Sequence, residues 1–109
     1  MANAYKVLGQ IAPSATTATA IYTVPSATEA VVSSVTICER GGSAATFRLA
    51  VRPDGATLAN EHYIAYDVAI AANDTVILTL RITMDATDIL QAYASSADLS
   101  FNAFGTEIT

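Results

Sequence analysis

Few side chains in this sequence are of the kinds that make or break bonds, and their spacing limits what each can do. His62 is the only histidine. A metal-binding jelly roll builds its centre from several histidines and a carboxylate, so one histidine per chain does not furnish it, and a zinc site lacks ligands for the same reason. A serine hydrolase would pair His62 with a serine, yet no G-x-S-x-G is present and the serines fall in turns or on strand faces. His62 therefore reads as an alternating strand residue or an interface residue. Cys38, the single cysteine, has Arg40 two residues on, a cation able to lower a thiol pKa. The plainer reading is a small strand residue beside an exposed turn. Asp85 and Asp88 flank Ala86-Thr87, where two carboxylates on one loop could hold calcium, but the glycine and ligand repeat of a calcium loop is missing. Turn roles are expected for both. With no nucleophile, base and orienting group at a shared spacing, the expectation is a non-enzymatic protein without cofactor or metal.

A second group is chemically quieter. Arg48, Arg52, Arg81 and Asp67 each sit mid-strand, on the face opposite the large aliphatics. On a free surface they are solvating charges worth a few tenths to about 1 kcal/mol each. In an oligomer they would pin register. The residues placed with them are Thr46, Ala50, Tyr63, Ala65 and Thr79, flat and small with tyrosine inserted, and tyrosine and arginine are enriched at interfaces. Arg48, Arg52, Tyr63, Asp67 and Arg81 are accordingly the candidate interface residues.

The elements that carry these residues show a period of two, the strand period. Tyr5, Val7 and Ile11 share one face. Tyr22 and Val24 oppose Ile21 and Thr23; Val31, Val35 and Ile37 alternate with Ser34, Thr36 and Cys38. After the turn Arg40-Gly41-Gly42-Ser43, Phe47, Leu49 and Val51 face inward, and Pro53-Asp54-Gly55 closes that strand. His62, Ile64, Tyr66, Val68 and Ile70 form one face of the next strand, with Tyr63, Ala65 and Asp67 opposed. Val76, Leu78, Leu80 and Ile82 face inward on another, and two more run from Ile89 to Ala94 and from Leu99 to Phe104. Thr57 to Glu61 is compatible with a helical turn and nothing longer. About eight short strands at close spacing predict an all-β chain, a single antiparallel two-sheet sandwich over residues 1–109. A jelly roll is the first choice of topology and an immunoglobulin-like order the second.

Composition bounds the partners. Of the 109 residues, 52% are hydrophobic and only 14% charged, against about 25% charged in an ordinary soluble domain. Small uncharged residues suit a surface that another subunit will cover. A net charge of -5 and five scattered cations argue against nucleic acid. The most apolar run, Tyr63 to Ala72, is too short to span a bilayer and is interrupted by Asp67. The first residues show no secretory signal, and a lone cysteine fits synthesis in a reducing cytoplasm.

The run V-V-S-S-V-T-I-C-E-R-G-G-S-A-A-T-F-R-L-A-V-R-P-D-G-A, with H-Y-I-A-Y-D, T-L-R-I-T-M-D-A-T-D-I-L-Q-A-Y-A-S-S-A-D-L-S-F and F-G-T-E-I, resembles small β-sandwich virion proteins of tailed bacteriophages, including those of cyanobacterial viruses. The resemblance covers most of the chain from about Ile21 to Ile108, and its motifs mark strands and turns. It implies a structural virion protein that contacts copies of itself and other capsid or tail proteins. The expected role is capsid decoration or cement; the alternatives are a collar, baseplate or fibre domain of the tail, and a carbohydrate-binding module using Tyr63, Tyr66 or Tyr93 as stacking platforms. Glu39 stands where the family pattern suggests a neutral polar residue, and Arg81 where it suggests glycine.

Overall fold

The computed structural model describes residues 2–109. Eight strands run in order: β1 Asn3–Ile11, β2 Thr19–Thr23, β3 Glu29–Glu39, β4 Ala45–Arg52, β5 Tyr63–Ile70, β6 Thr75–Met84, β7 Ile89–Ala94 and β8 Leu99–Ile108. Three-residue 3-10 turns at Pro53–Gly55 and Asn60–His62 join β4 to β5. All pairings are antiparallel. One sheet has the order β1-β8-β3-β6 and the other β2-β7-β4-β5. Only the β4–β5 connection stays within a sheet; every other one crosses between them. This is the jelly-roll topology, and the immunoglobulin-like order, which keeps sequential strands together in hairpins, does not occur.

The core forms where the inward rows of the two sheets meet. Val32, Val35, Ile37, Phe101 and Ala103 come from the first sheet, and Phe47, Leu49, Leu90, Ala92 and Ala94 from the second, all essentially without exposure. Phe47 and Phe101 meet edge to face at the centre, centroids 6.2 Å apart, a favoured aromatic geometry. Each large aliphatic buried here contributes about 1.5–3 kcal/mol of transfer free energy.

Bulges change which residues reach that core. An extra residue in a strand reverses the alternation beyond it. In β3 the register shifts at Ser33. Ala30 and Val32 are therefore buried before it and Val35 and Ile37 after it, while Val31, expected to share a face with Val35, is left half-buried outside the core cluster. The Ser33 hydroxyl donates to the Phe104 carbonyl, 3.0 Å away. A shift at Leu8 in β1 likewise separates Ile11, which packs on the core, from Tyr5 and Val7, which are exposed. A shift at Ile21 lets both Ile21 and Tyr22 be buried, though they were expected on opposite faces. In β5 the inward residues are Ala65, Val68 and Ile70, whereas Ile64 and Tyr66, expected inside, are exposed.

Buried or turn-bound carboxylates hold the loops. Glu39 is buried, and its carboxylate accepts the backbone N–H groups of Gly41, Gly42 and Asn73 at 2.8–3.1 Å, tying the β3–β4 turn to the β5–β6 turn. These bonds, led by that from Asn73, hold its pKa below the ordinary glutamate value. Gly42 is left-handed at φ 77, which lets its N–H point at that carboxylate. Glu39 thus serves as an internal anchor.

Candidate functional site

The outer face of the β2-β7-β4-β5 sheet gathers the side chains best suited to recognition. β5 has a bulge opposite Arg48: Val68 pairs with Phe47 and Ala65 with Leu49, so Tyr66 and Asp67 together oppose one residue of β4. Asp67 adopts φ 50 to make this possible, a conformation that Asp tolerates better than most residues. Both Tyr66 and Asp67 consequently face outward beside Arg48.

Arg48 is held on three sides. Its Nε donates to Asp67 Oδ1 at 2.7 Å and its Nη2 to Oδ2 at 3.4 Å. The guanidinium carbon lies 4.1 Å from the Tyr66 ring centroid and 4.5 Å from that of Tyr93 on β7, within cation–π range of both. The hydrogen bond to Asp67, ahead of every other cause, pushes the guanidinium pKa above its ordinary value. Tyr63 sets its ring edge-on to Tyr66, centroids 4.9 Å apart. The result is a contiguous patch with Tyr66 56% exposed, in which each planar group is contacted by a neighbour within the sheet. Tyrosine–arginine surfaces held by such contacts lose less side-chain entropy on binding.

The five expected interface residues divide. Arg48, Tyr63 and Asp67 meet in this patch. Arg52, at the end of β4, turns back to donate to the carbonyls of Ala56 at 3.0 Å and Gly55 at 3.4 Å, closing the Pro53–Gly55 turn. Arg81 lies on β6, on the outer face of the other sheet, so the set is not one surface. Ala65, placed with the outward residues by the sequence, packs on the core. Tyr66 and Tyr93 join the patch instead.

The remaining candidates for chemistry are engaged structurally. His62 Nδ1 accepts the Ala59 N–H at 3.0 Å. Cys38 is half-buried between Thr75 and Ser100 on neighbouring strands, and Arg40 donates to the Ala97 carbonyl at 3.0 Å. The Asp88 carboxylate accepts the N–H groups of Asp54 and Asp85, each at 2.8 Å, stapling the two loops at that end of the sandwich. Among the described residues no group of three or more His, Cys, Asp and Glu side chains is placed to hold a metal ion. No helix among them is long and apolar enough to cross a membrane.

No family model matches this chain. A comparison with curated proteins likewise finds no match.

Proposed function

We propose that this chain is a non-enzymatic structural protein of a tailed-bacteriophage virion, a capsid decoration or cement subunit working through contacts with copies of itself and with other virion proteins. The observation that carries the reading is the Arg48–Tyr66–Tyr93–Asp67 patch. Its aromatic and guanidinium planes are contacted by neighbours within the sheet, which suits area burial against a protein surface. The low charge content of the chain and its resemblance to virion sandwiches support the same reading. The mechanism is burial of area between subunits, which raises the force needed to open the shell. The test is to add the purified chain to capsids lacking it, then image them and measure their heat resistance. Regular density on the shell and greater resistance are expected, with at least about a tenfold loss of capsid affinity for Tyr66→Ala, a hot-spot-sized effect. Density confined to the tail would replace the cement role with a collar, baseplate or fibre role.

One observation favours a second reading. Tyr63, Tyr66 and Tyr93 share one face with the Asp67 carboxylate, and a sugar ring stacks on tyrosine while its hydroxyls donate to a carboxylate. Glycan-array binding that disappears in Tyr66→Ala would establish a carbohydrate-binding module; a blank array would leave assembly as the function.

A further inference from the structure

Each sheet has two edges, and all four edge strands depart somewhere from a regular ladder, which discourages pairing with another chain. β1 bears Lys6 and a bulge at Leu8. β2 has five residues and a bulge at Ile21. β5 is interrupted twice, at Ile64 and at Tyr66–Asp67. β6 also has one register shift, with Leu80 and Arg81 together opposite Ser33 of β3, but it alone keeps its side-chain alternation through the shift. It is hydrogen-bonded only to β3, and its exposed and half-buried residues alternate without interruption from Thr75 to Thr83, with Arg81 as its only charge. Its inward row, Val76, Leu78, Leu80 and Ile82, is packed against the core on one side and remains half-exposed on the other.

The strand is also close to palindromic in side-chain class. If Thr79 lies on a twofold axis and β6 pairs antiparallel with a second β6, Thr75 faces Thr83, Val76 faces Ile82, Leu78 faces Leu80, and Thr79 faces itself. Ile77 falls opposite Arg81, so the two arginines do not meet. Asp74 falls opposite Met84 and Asp85 opposite Asn73. No like charges are opposed in a chain of net charge -5, and every aliphatic of the inward row gains an aliphatic neighbour. Cross-strand Thr–Thr and aliphatic pairs of this kind stabilise antiparallel ladders, and a twofold contact requires such self-complementarity.

We infer that β6 is a homodimer edge: two copies join their β6 strands antiparallel about Thr79, merging the two β1-β8-β3-β6 sheets into one continuous sheet and covering the half-exposed aliphatic row. The inference deepens the assembly reading by naming the surface and the partner. It makes no use of the tyrosine–arginine patch, which stays free for another protein.

Disulfide trapping in a Cys38→Ser background tests the register. Directly opposed residues of an antiparallel pair lie ~4.5–5.5 Å apart between Cα atoms, inside the usual range for a disulfide. Thr79→Cys is expected to give a covalent dimer under mild oxidation. Ile77→Cys is not, because two copies of residue 77 are then about 13 Å apart; mixing Ile77→Cys chains with Arg81→Cys chains should restore the cross-link. Light scattering across a dilution series is expected to give a dimer mass for the native chain. Thr79→Lys, with far-UV circular dichroism unchanged, should raise the dissociation constant about tenfold by opposing two ammonium groups. A native chain that is monomeric at every concentration overturns the inference. So does a dimer that neither cross-links through residue 79 nor weakens in Thr79→Lys; that second result leaves the assembly reading intact and moves the contact to another face.

Discussion

The two flanks of the sandwich are built differently. On one flank β1 and β2 close the gap between the sheets. Gly9 passes so near β2 that a Cβ there would lie 2.0 Å from the Ile21 carbonyl oxygen. Glu107 on β8 accepts from Lys6 Nζ at 2.9 Å and from the Tyr22 hydroxyl at 2.6 Å, so a single carboxylate links three strands from both sheets. On the other flank β5 and β6 leave Val76, Leu78, Leu80, Ile82 and Val68 half-exposed. The first flank spends its side chains on internal closure, and the second leaves apolar area half-exposed. Substitutions on the closed flank should therefore be read out as stability, and those on the open flank, under the proposed β6 pairing, as assembly.

Gly9→Ala gives the largest expected effect on the closed flank. Its methyl group meets backbone rather than a movable side chain, so β1 and β2 must part, and about 3 kcal/mol of folding stability should be lost. Thr79→Lys on the open flank should change monomer stability by no more than about 0.5 kcal/mol. Denaturant midpoints of the two variants make the comparison directly. Equal midpoints would mean that the flanks do not differ in the way described.

Tyr22→Phe comes next, with a loss of about 1–2 kcal/mol from the hydrogen bond to an ionised carboxylate, measured by urea unfolding near neutral pH. The pH dependence sharpens the assignment. Burial first, and then the hydrogen bond to Glu107, push the Tyr22 phenol well above its ordinary value of 10.0. The neutral phenol therefore contributes stability that is present below about 10 and lost as pH rises above it. Glu107 is held below the ordinary glutamate value, first by Tyr22 and then by Lys6. Its contribution is present above about 4.5 and lost as pH falls below that. Tyr22→Phe should flatten the alkaline side of the stability profile, and Glu107→Gln the acid side. Profiles parallel to that of the native chain would separate these residues from the closure of the flank.

Half-exposure sets the third effect. Leu99, without exposure in the core, should lose about 2–5 kcal/mol on substitution by Ala. Leu80, uncovered along the edge, should lose only about 1 kcal/mol in Leu80→Ala, since less area leaves the interior. The denaturant midpoints are to be compared at concentrations where both variants are monomeric. An equal loss at the two positions would show that the β6 row is as well packed as the core.

The strand positions were legible because turn chemistry punctuates the alternation. Gly41-Gly42, Pro53-Asp54-Gly55 and Ala72-Asn73-Asp74 each interrupt a row of aliphatics, and β4, β6 and β7 lie where those rows predict. The faces were less legible, because a bulge inserts a residue that the period of two cannot announce. Tyr66 was expected inside for that reason. The one signal for its true direction is Asp67, a residue tolerant of left-handed backbone in the middle of a strand. Arg48, Tyr63 and Asp67 could be named from their types, but their convergence with Tyr93 depends on β7 pairing with β4, two strands remote in sequence. Arg81 was grouped with them because the sequence does not say which sheet a strand joins.

The smallest effect discriminates between two ways of covering the open side. Ile77 is 65% exposed and pairs with Thr36 across β3, on an outer face that also carries Thr75 and Thr79. Ile77→Thr should change stability by no more than about 0.5 kcal/mol, as is usual for surface positions. If β6 pairs edge to edge, the substitution removes one aliphatic contact near Arg81, worth a few tenths of a kcal/mol, and the dimer mass should persist at micromolar concentration. If copies instead stack face to face through the β1-β8-β3-β6 sheet, Ile77 is an exposed aliphatic within that contact. Its loss should then weaken the dimer measurably, so one substitution with almost no effect on folding separates the proposed edge pairing from stacking through the face of the sheet.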